Sequence, residues 1–255
     1  MGWIRLGLME CLGEYGGLFM KLEQVVETYD DLYAAEYDQI FFLDEKWAVN
    51  SFAFQLDLLR KEMEKAGNWL DVACGTGFVL SKFPHVERAG LDISPSMLRV
   101  AGKRNPGVEL RHGNYLDSFP EWEDRWDIVS CMWWAYNLVE TMSQIKALVQ
   151  NLARWTSPRG ICFVPLHNLN KIDSTAIKIP YVDPKVPGRV MITGITWTWI
   201  QENGKRHDDV ISPQVEHLVG MFEDHFASVE VVEGPIDLIG EGWRVQDVLI
   251  ARDKK

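Results

Sequence analysis

At 255 residues, 47% hydrophobic and 25% charged, the chain is long enough to bury a full core without disulfides or metal staples. A formal net charge of −11, with no Lys/Arg run longer than a pair, argues against nucleic acid as a partner, because binding phosphate backbones relies on clustered basic residues. No apolar stretch reaches membrane-spanning length, which leaves one large domain, or one domain with a small appended cap.

In chain order, the first residues carry Arg5, Glu10 and Glu14 and lack a small-residue cleavage site, so no secretory signal is expected. Leu6 breaks the myristoylation pattern, and a loosely held extension in a cytoplasmic protein is the expectation. From about Phe19 to Phe42, Leu22, Val25, Val26, Tyr29, Leu32, Tyr33, Tyr37 and Ile40 recur at helical spacing. A second helix is expected over Glu45 to Ala66, with Phe52, Leu56, Leu59 and Met63 on one face and Gly67 as its stop. The period then shortens. Trp69–Ala73, Ala89–Ile93, Val108–His112, Trp126–Met132 and Ile161–Pro165 read as strands, and Ser94-Pro95 reads as the cap and first turn of a helix. A helix over Met142 to Trp155 leads into a turn at Ser157-Pro158-Arg159-Gly160. Strands alternating with helices predict an α/β fold with a mostly parallel sheet.

Between His167 and about Ser212 the alternation stops. Met191, Ile195, Trp197 and Trp199 follow a two-residue period and Asn203-Gly204 suits a tight hairpin, so this stretch is expected to be an antiparallel cap over the ligand edge. Gln214 to Phe226 reads as a helix, with strands near Val229–Val232 and Val245–Ala251. Cys11, Cys74, Cys131 and Cys162 are scattered and form no C-x-x-C pair; reduced core thiols are expected, and no metal site.

The segment that carries chemistry is Leu70-Asp71-Val72-Ala73-Cys74-Gly75-Thr76-Gly77, a strand running into a glycine-rich turn. A Cβ at Gly75 or Gly77 would obstruct a ligand pressed against the backbone, and a following helix would offer its N–H groups to that ligand. Dinucleotide binders need a third glycine where this chain has Leu80. Acidic residues stand instead at Asp71, before the glycines, and at Asp92, ending the next strand.

This pattern resembles the class I S-adenosylmethionine-dependent methyltransferases over roughly residues 29 to 166. The resemblance implies a Rossmann-like class I fold: a mostly parallel seven-stranded sheet, helices on both faces and a small antiparallel cap insertion. It divides the chain into a helical segment covering the cofactor site (1–66), the cofactor-binding core (67–166), the cap (167–211) and a C-terminal helix and strands completing the sheet (212–255). It also implies S-adenosylmethionine as cofactor, with S-adenosylhomocysteine as product. Carried over by position, Asp71, Ala73, Gly75 and Gly77 hold the amino-acid part and Asp92 the ribose hydroxyls. Ile93, Met97, Asn114, Tyr115 and Leu116 lie around the adenine, with Met132 at the end of the fourth strand. Asn114 stands where the family more often has Asp.

Leu70–Gly77, Gly90–Leu98, Arg104-Asn105-Pro106, Val129–Met132 and Ala35-Glu36-Tyr37-Asp38 resemble the small-molecule N-methyltransferases that dimethylate amino sugars. There a helix tyrosine lies over the cofactor, which makes Tyr37 a candidate, with Tyr33 one turn earlier; packing the helix onto the sheet is the competing role. Those enzymes carry a His after the fourth strand. This chain has Trp133-Trp134-Ala135-Tyr136-Asn137, so substrate identity does not transfer.

Trp133, Trp134 and Tyr136 are candidate walls of an acceptor pocket, and Trp197 and Trp199 either close it or form the cap's own core. His167, just beyond the fifth strand, is either a substrate-contacting base, with Tyr136 as second catalytic candidate, or a packing histidine. The expected reaction is methyl transfer to nitrogen of a small molecule by a monomer or homodimer. O-methylation of a small metabolite or sugar, and a catalytically silent cofactor-binding partner subunit, are the alternatives. No nucleic acid and no membrane are expected as partners.

Overall fold

The computed structural model describes residues 21–44, 46–168, 185–186, 188–189, 193–200, 206–235 and 245–255. The helical run expected up to Phe42 is two helices, α1 (Lys21–Thr28) and α2 (Asp31–Asp38), followed by a π-turn at Gln39–Asp44. The break comes from Asp30, whose Oδ1 accepts a hydrogen bond from Tyr33 N at 2.9 Å and so caps a new helix rather than continuing the old one. Helix α3 (Lys46–Met63) buries Phe52, Leu59 and Met63 on one face, as their spacing requires.

The core alternates: β1 (Asn68–Val72), β2 (Glu87–Asp92), α4 (Pro95–Arg104), β3 (Glu109–His112), β4 (Trp126–Cys131), α5 (Met142–Trp155) and β5 (Thr156–Pro165). Ser94 caps α4, its Oγ accepting from Met97 N at 3.2 Å, with Pro95 in the first turn. Thr141 and Gln144 form a reciprocal capping box on α5. No helix of ordinary length follows the glycine turn; only a 3-10 turn, Leu80–Lys82, forms there. Pro84 disfavours helical geometry in the residue before it and stops the chain. The turn expected at Ser157–Gly160 is instead a bulge within β5. Trp126 pairs with Thr156 and Ile128 with Ile161, so the four residues between them face Asp127 alone. A Cβ on Gly160 would lie 2.7 Å from the Trp126 carbonyl oxygen, which explains the glycine.

Two short pieces follow, β6 (Lys185–Val186) and β7 (Gly188–Arg189), then the antiparallel pair β8 (Gly194–Ile200) and β9 (Arg206–Pro213). Met191 and the Asn203-Gly204 pair expected to shape this excursion lie outside the described residues, as does Cys11. The register slips between Trp197 and Trp199, where Asp209 takes a left-handed φ of 54° and makes room for the extra residue on β9. Helix α6 (Val215–Glu223), β10 (Phe226–Val232) and β11 (Val248–Lys254) complete the chain.

The main sheet has seven strands in the order β3-β2-β1-β4-β5-β11-β10, with β11 antiparallel to both neighbours and the first five strands parallel. Apolar residues cover both faces, as a mostly parallel sheet demands. Leu70 and Val72 join α5 and α6 in one core, while Trp69 joins α2 and α3 in the other. Cys74, Cys131 and Cys162 are buried free thiols. Strand order reverses between β1 and β4, and in open α/β sheets the crevice beyond the strand ends at such a point binds ligands.

Candidate functional site

A cleft opens at that point. Of the residues assigned to a cofactor from sequence, Tyr37, Asp71, Ala73, Gly75, Asp92, Ile93, Met97, Asn114, Tyr115 and Met132 line it. So does Trp133, assigned to substrate.

Strand β1 delivers Asp71 to its floor and then turns sharply: Ala73, Gly75 and Gly77 all have left-handed φ, 58°, 54° and 66°. The two glycines serve different ends. A Cβ on Gly75 would meet no protein atom within 4 Å, so its open side is the cleft itself. A Cβ on Gly77 would fall 2.5 Å from Asn105 Nδ2 and 3.0 Å from the Ala101 Cβ, so this glycine lets α4 pack against the turn. Gly77, assigned with Gly75 to the loop site, braces the turn and is not among the residues lining the cleft. Asn105 completes the brace by donating to Gly77 O at 2.9 Å.

Asp92 ends β2 almost fully buried. Its Oδ2 accepts from Gly75 N at 2.8 Å and its Oδ1 from Ser94 N at 2.8 Å, which ties the glycine turn to the start of α4. Each carboxylate oxygen has a second lone pair, so two acceptor sites remain for a pair of hydroxyl donors. Burial raises its pKa, and the backbone N–H donors work against that rise.

Asp71 is buried more deeply still, at 1% of its surface. Its Oδ1 accepts from Ser130 Oγ at 2.6 Å, and Ser130 in turn accepts from Trp69 Nε1 at 2.8 Å. Its Oδ2 has no hydrogen-bond partner, an orphan acceptor on the wall of an open cleft. Burial lifts the carboxyl to about 7; the Ser130 hydroxyl opposes this and the nearby Asp92 adds to it. A buried carboxylate oxygen left unsatisfied is costly, and a cationic donor in the cleft would relieve it. Ser130 was read from sequence only as a strand residue; Ser next to a buried Asp on a paired strand is legible only once β1 and β4 are in register, where Asp71 faces Ser130.

The N-terminal helices form the lid-side wall. Asp38 pairs with Arg104 and accepts from Thr76 Oγ1 at 2.5 Å, while Arg104 also donates to Thr76 O at 3.0 Å. One ionic clasp therefore joins α2, the glycine turn and α4. Ser94 Oγ donates to Tyr29 O at 2.7 Å, holding the break before α2 over the same edge. Tyr29 lines the cleft; from sequence it was read only as one of the residues recurring at helical spacing. Tyr33 is 5% exposed, packed edge-on between Tyr29 and Tyr37, and is not among the residues lining the cleft.

Across from these, Asn114 closes an Asx turn by accepting from Leu116 N at 2.9 Å. Leu116 packs against the core and is not among the residues lining the cleft. Tyr115 donates its hydroxyl to Ala135 O at 3.1 Å and so fastens the chain after β4. That segment is strained: Trp133 and Trp134 are consecutive left-handed residues, with φ of 51° and 57°. Bulky residues in this conformation persist only where surrounding contacts over-determine them, and they gather at functional sites.

His167 and Tyr136 do not line the cleft. Tyr136 is buried, with its phenol pushed up by burial, and its hydroxyl oxygen accepts from His167 N at 2.9 Å. The His167 ring lies between Trp134 and Trp197, at centroid distances of 4.2 and 4.7 Å. Its Nδ1 is 2.9 Å from Ser212 Oγ, which also accepts from Trp197 Nε1 at 2.9 Å and Asn137 Nδ2 at 3.2 Å. Those two nitrogens can only donate, so the single Ser212 proton points at Nδ1, and the imidazole is neutral with its own proton on Nε2. Burial depresses its pKa to about 3, in line with that neutral form. In this structure His167 and Trp197 pack on each other outside the cleft lining. The Trp199 side chain lies outside what is described.

No group of His, Cys, Asp and Glu suited to a metal ion occurs among the described residues, and none of the described helices is long and apolar enough to cross a membrane.

Residues 70–160 match the family model described as a methyltransferase domain. A dTDP-4-amino-2,3,4,6-tetradeoxy-D-glucose N,N-dimethyltransferase of Saccharopolyspora spinosa is 29% identical over 140 residues, covering 54% of this chain and 52% of that one. A dTDP-3-amino-3,6-dideoxy-alpha-D-glucopyranose N,N-dimethyltransferase of Streptomyces fradiae is 34% identical over 111 residues, 42% of each. The chain therefore spans about half the length of the curated relatives it matches. Among solved structures, the N-methyltransferase NodS of Bradyrhizobium japonicum superposes with a TM-score of 0.59 at 16% identity, covering 92% of this chain and 98% of that one. An amino pentose methyltransferase from Micromonospora echinaspora gives 0.55 at 20%, covering 88% and 98%. At such identities the likeness speaks for the fold, and the fold is the one the strand order describes. Residues 70–160, which carry the glycine turn, Asp71 and Asp92, are the part of the chain similar to a methyltransferase domain, and the strand order gives them a Rossmann-like class I framework.

Proposed function

We propose that this protein transfers a methyl group from S-adenosylmethionine to a nitrogen of a small-molecule acceptor. The observation that carries the reading is the pair of carboxylates on adjacent strand ends around one open glycine. Asp71 offers an orphan oxygen suited to an ammonium, and Asp92 keeps two lone pairs suited to vicinal hydroxyls. These are the charged and the diol-bearing ends of the nucleoside, so the residues present fit it. Asn114, Ile93 and Met97 line the cleft beside Asp92 and are assigned to the base.

When bound, the nucleoside supplies a methyl already activated by its sulfonium, so the protein's task is alignment and exclusion of water. Among the described lining residues the ionisable groups are Asp71, Asp92, the Cys74 thiol and the phenols of Tyr29, Tyr37 and Tyr115. Burial raises all six: the thiol and the three phenols stay protonated, and Asp71 and Asp92 are taken up by the nucleoside in this reading, so no lining group is left over to take a hydroxyl proton. Nitrogen needs no such base: its lone pair forms the new N–C bond, the C–S electron pair stays on sulfur, and the surplus N–H proton leaves to water. This favours N- over O-methylation, as does the resemblance to sugar N,N-dimethyltransferases.

The division into a covering helical segment, core, cap and C-terminal completion belongs to the same proposal, as do a cytoplasmic setting, a monomeric or homodimeric state and the absence of a nucleic-acid partner. Titration calorimetry with S-adenosylhomocysteine tests it. Wild type is expected to bind, and Asp92→Ala to lose at least about 100-fold in affinity, two charge-assisted hydrogen bonds being worth about 3 kcal/mol or more together. An unchanged dissociation constant would remove Asp92 from the site.

A further inference from the structure

The sheet order decides which end of the cleft an acceptor meets. Along the carboxyl edge, Asn114 follows β3, Asp92 ends β2, Asp71 and the glycine turn belong to β1, and Trp133 follows β4. A nucleoside with its sugar at Asp92 and its ammonium at Asp71 takes the β2 and β1 stations, leaving the β4 end.

That end is walled by aromatic rings. Phe42, Phe78 and Trp133 line it. Phe42 stacks on Phe78 with centroids 4.4 Å apart and planes 9° from parallel, and its centroid is 5.2 Å from that of Trp133. Phe52 backs the group, 5.5 Å from Phe78 and 6.5 Å from Trp133. The nearby cations are engaged in holding this wall. Lys82 Nζ stands 3.9 Å from the Phe78 ring centre, and Arg104 pairs with Asp38; neither lines the cleft. Trp133 is held in its left-handed conformation beside Trp134, whose ring packs on His167.

We propose, building on the methyl-transfer reading above, that the acceptor is a hydrophobic amine whose aryl or alkyl framework packs against Trp133 and the edge of Phe78, rather than an amine on a nucleotide-linked sugar. Three physical points converge on this. Ring faces attract flat apolar groups and also the positive charge that passes from sulfur to nitrogen as the methyl moves. A dry aromatic wall favours the neutral amine over its ammonium, and only the neutral form carries the attacking lone pair. A diphosphate would find two carboxylates and no cation among the described lining residues, and like charges repel.

The test uses the full chain. Calorimetry with S-adenosylhomocysteine is run first; release of the same product is then followed with phenethylamine, with 4-ethylphenol, and with a dTDP-linked amino-deoxysugar. Turnover of the amine is expected, none of the phenol, and a kcat/KM for the sugar nucleotide at least about tenfold below that of the amine. Phe78→Ala and Trp133→Ala should each raise the amine KM about tenfold and leave S-adenosylhomocysteine affinity within about threefold, with Trp133→Phe restoring most of the loss. A preference for the sugar nucleotide, an unmoved KM in these variants, or product-nucleoside binding without amine turnover would each overturn the acceptor class. Absence of nucleoside binding to the wild type would instead overturn the methyl-transfer reading on which it stands.

Discussion

Replacing Asp71 with Asn removes a carboxylate that the fold buries with one oxygen unpartnered. In the native protein the carboxyl is raised from 3.8 to about 7, chiefly by burial. An acid whose pKa is raised on folding binds its proton more tightly in the native chain than in the unfolded one. Below pH 3.8 both states are protonated and nothing is lost; as pH climbs toward 7 the native state is progressively penalised, and above 7 the penalty is complete. At about 1.36 kcal/mol per pKa unit the full penalty is on the order of 4 kcal/mol, of which on the order of 3 kcal/mol accrues between about pH 5 and pH 8. The new amide would leave an unpartnered N–H pair where Oδ2 stood, which costs about 1–3 kcal/mol at any pH. Asp71→Asn should therefore be neutral or destabilising at pH 5 and become relatively more stable by pH 8. With about 2–4 °C per kcal/mol for a chain of this size, the variant-minus-wild-type Tm difference should rise by roughly 6–12 °C over that range. Differential scanning calorimetry of the ligand-free protein measures it. The same variant should bind S-adenosylhomocysteine about 10- to 100-fold more weakly, because a charged hydrogen bond to the ammonium is gone. A Tm difference that is flat with pH would show that Asp71 does not titrate in this window. Unchanged affinity would show that its free oxygen does not meet the amine.

The two glycines of the turn should separate stability from binding. Gly77→Ala, with a φ of 66° and a clash against Asn105 and Ala101, should cost about 2–4 kcal/mol in urea unfolding, whereas Gly75→Ala should cost only about 1–2 kcal/mol of backbone strain and act mainly by blocking nucleoside binding. Ser130→Ala removes the donor that holds Asp71 ionised, so the pH midpoint of S-adenosylhomocysteine affinity should move upward, as calorimetry between pH 6 and 8 would show. Ser212→Ala strands Trp197 Nε1 and the Asn137 amide donor together, and should lower stability by about 2–4 kcal/mol with little change in nucleoside affinity; a large loss of affinity instead would mean the hairpin acts on the cleft directly.

Much of the site was readable because its signals are local. The acidic residue, the glycines and the second acidic residue lie within Asp71–Asp92, and backbone demands at a strand-to-turn junction select residue types regardless of what surrounds them. The strand and helix order was readable for the same reason, as was the capped start of α4 at Ser94. What the sequence left unresolved depended on contacts between distant segments. Gly77 was indistinguishable from Gly75 until α4 packed on it. Tyr33 and Tyr37, one turn apart, separated only when the aromatic cluster chose which ring to bury. His167 sat at a plausible ligand edge in sequence, yet two tryptophans and a serine hub from the β8–β9 hairpin enclose it in the fold.

By itself, then, the chain's linear order determined the alternating strands and helices, the glycine turn and the placement of acids at two strand ends, since these follow from hydrophobic period and backbone conformation over a few residues. Only the tertiary structure decided that Ser130 would steady Asp71 from the neighbouring strand, that Asp38 and Arg104 would clasp three elements, and that Phe42, Phe78 and Trp133 would meet in one wall. Burial, desolvation and ring packing are properties of which residues become neighbours, and the register of β1 against β4 and the docking of α2 over the turn make them so.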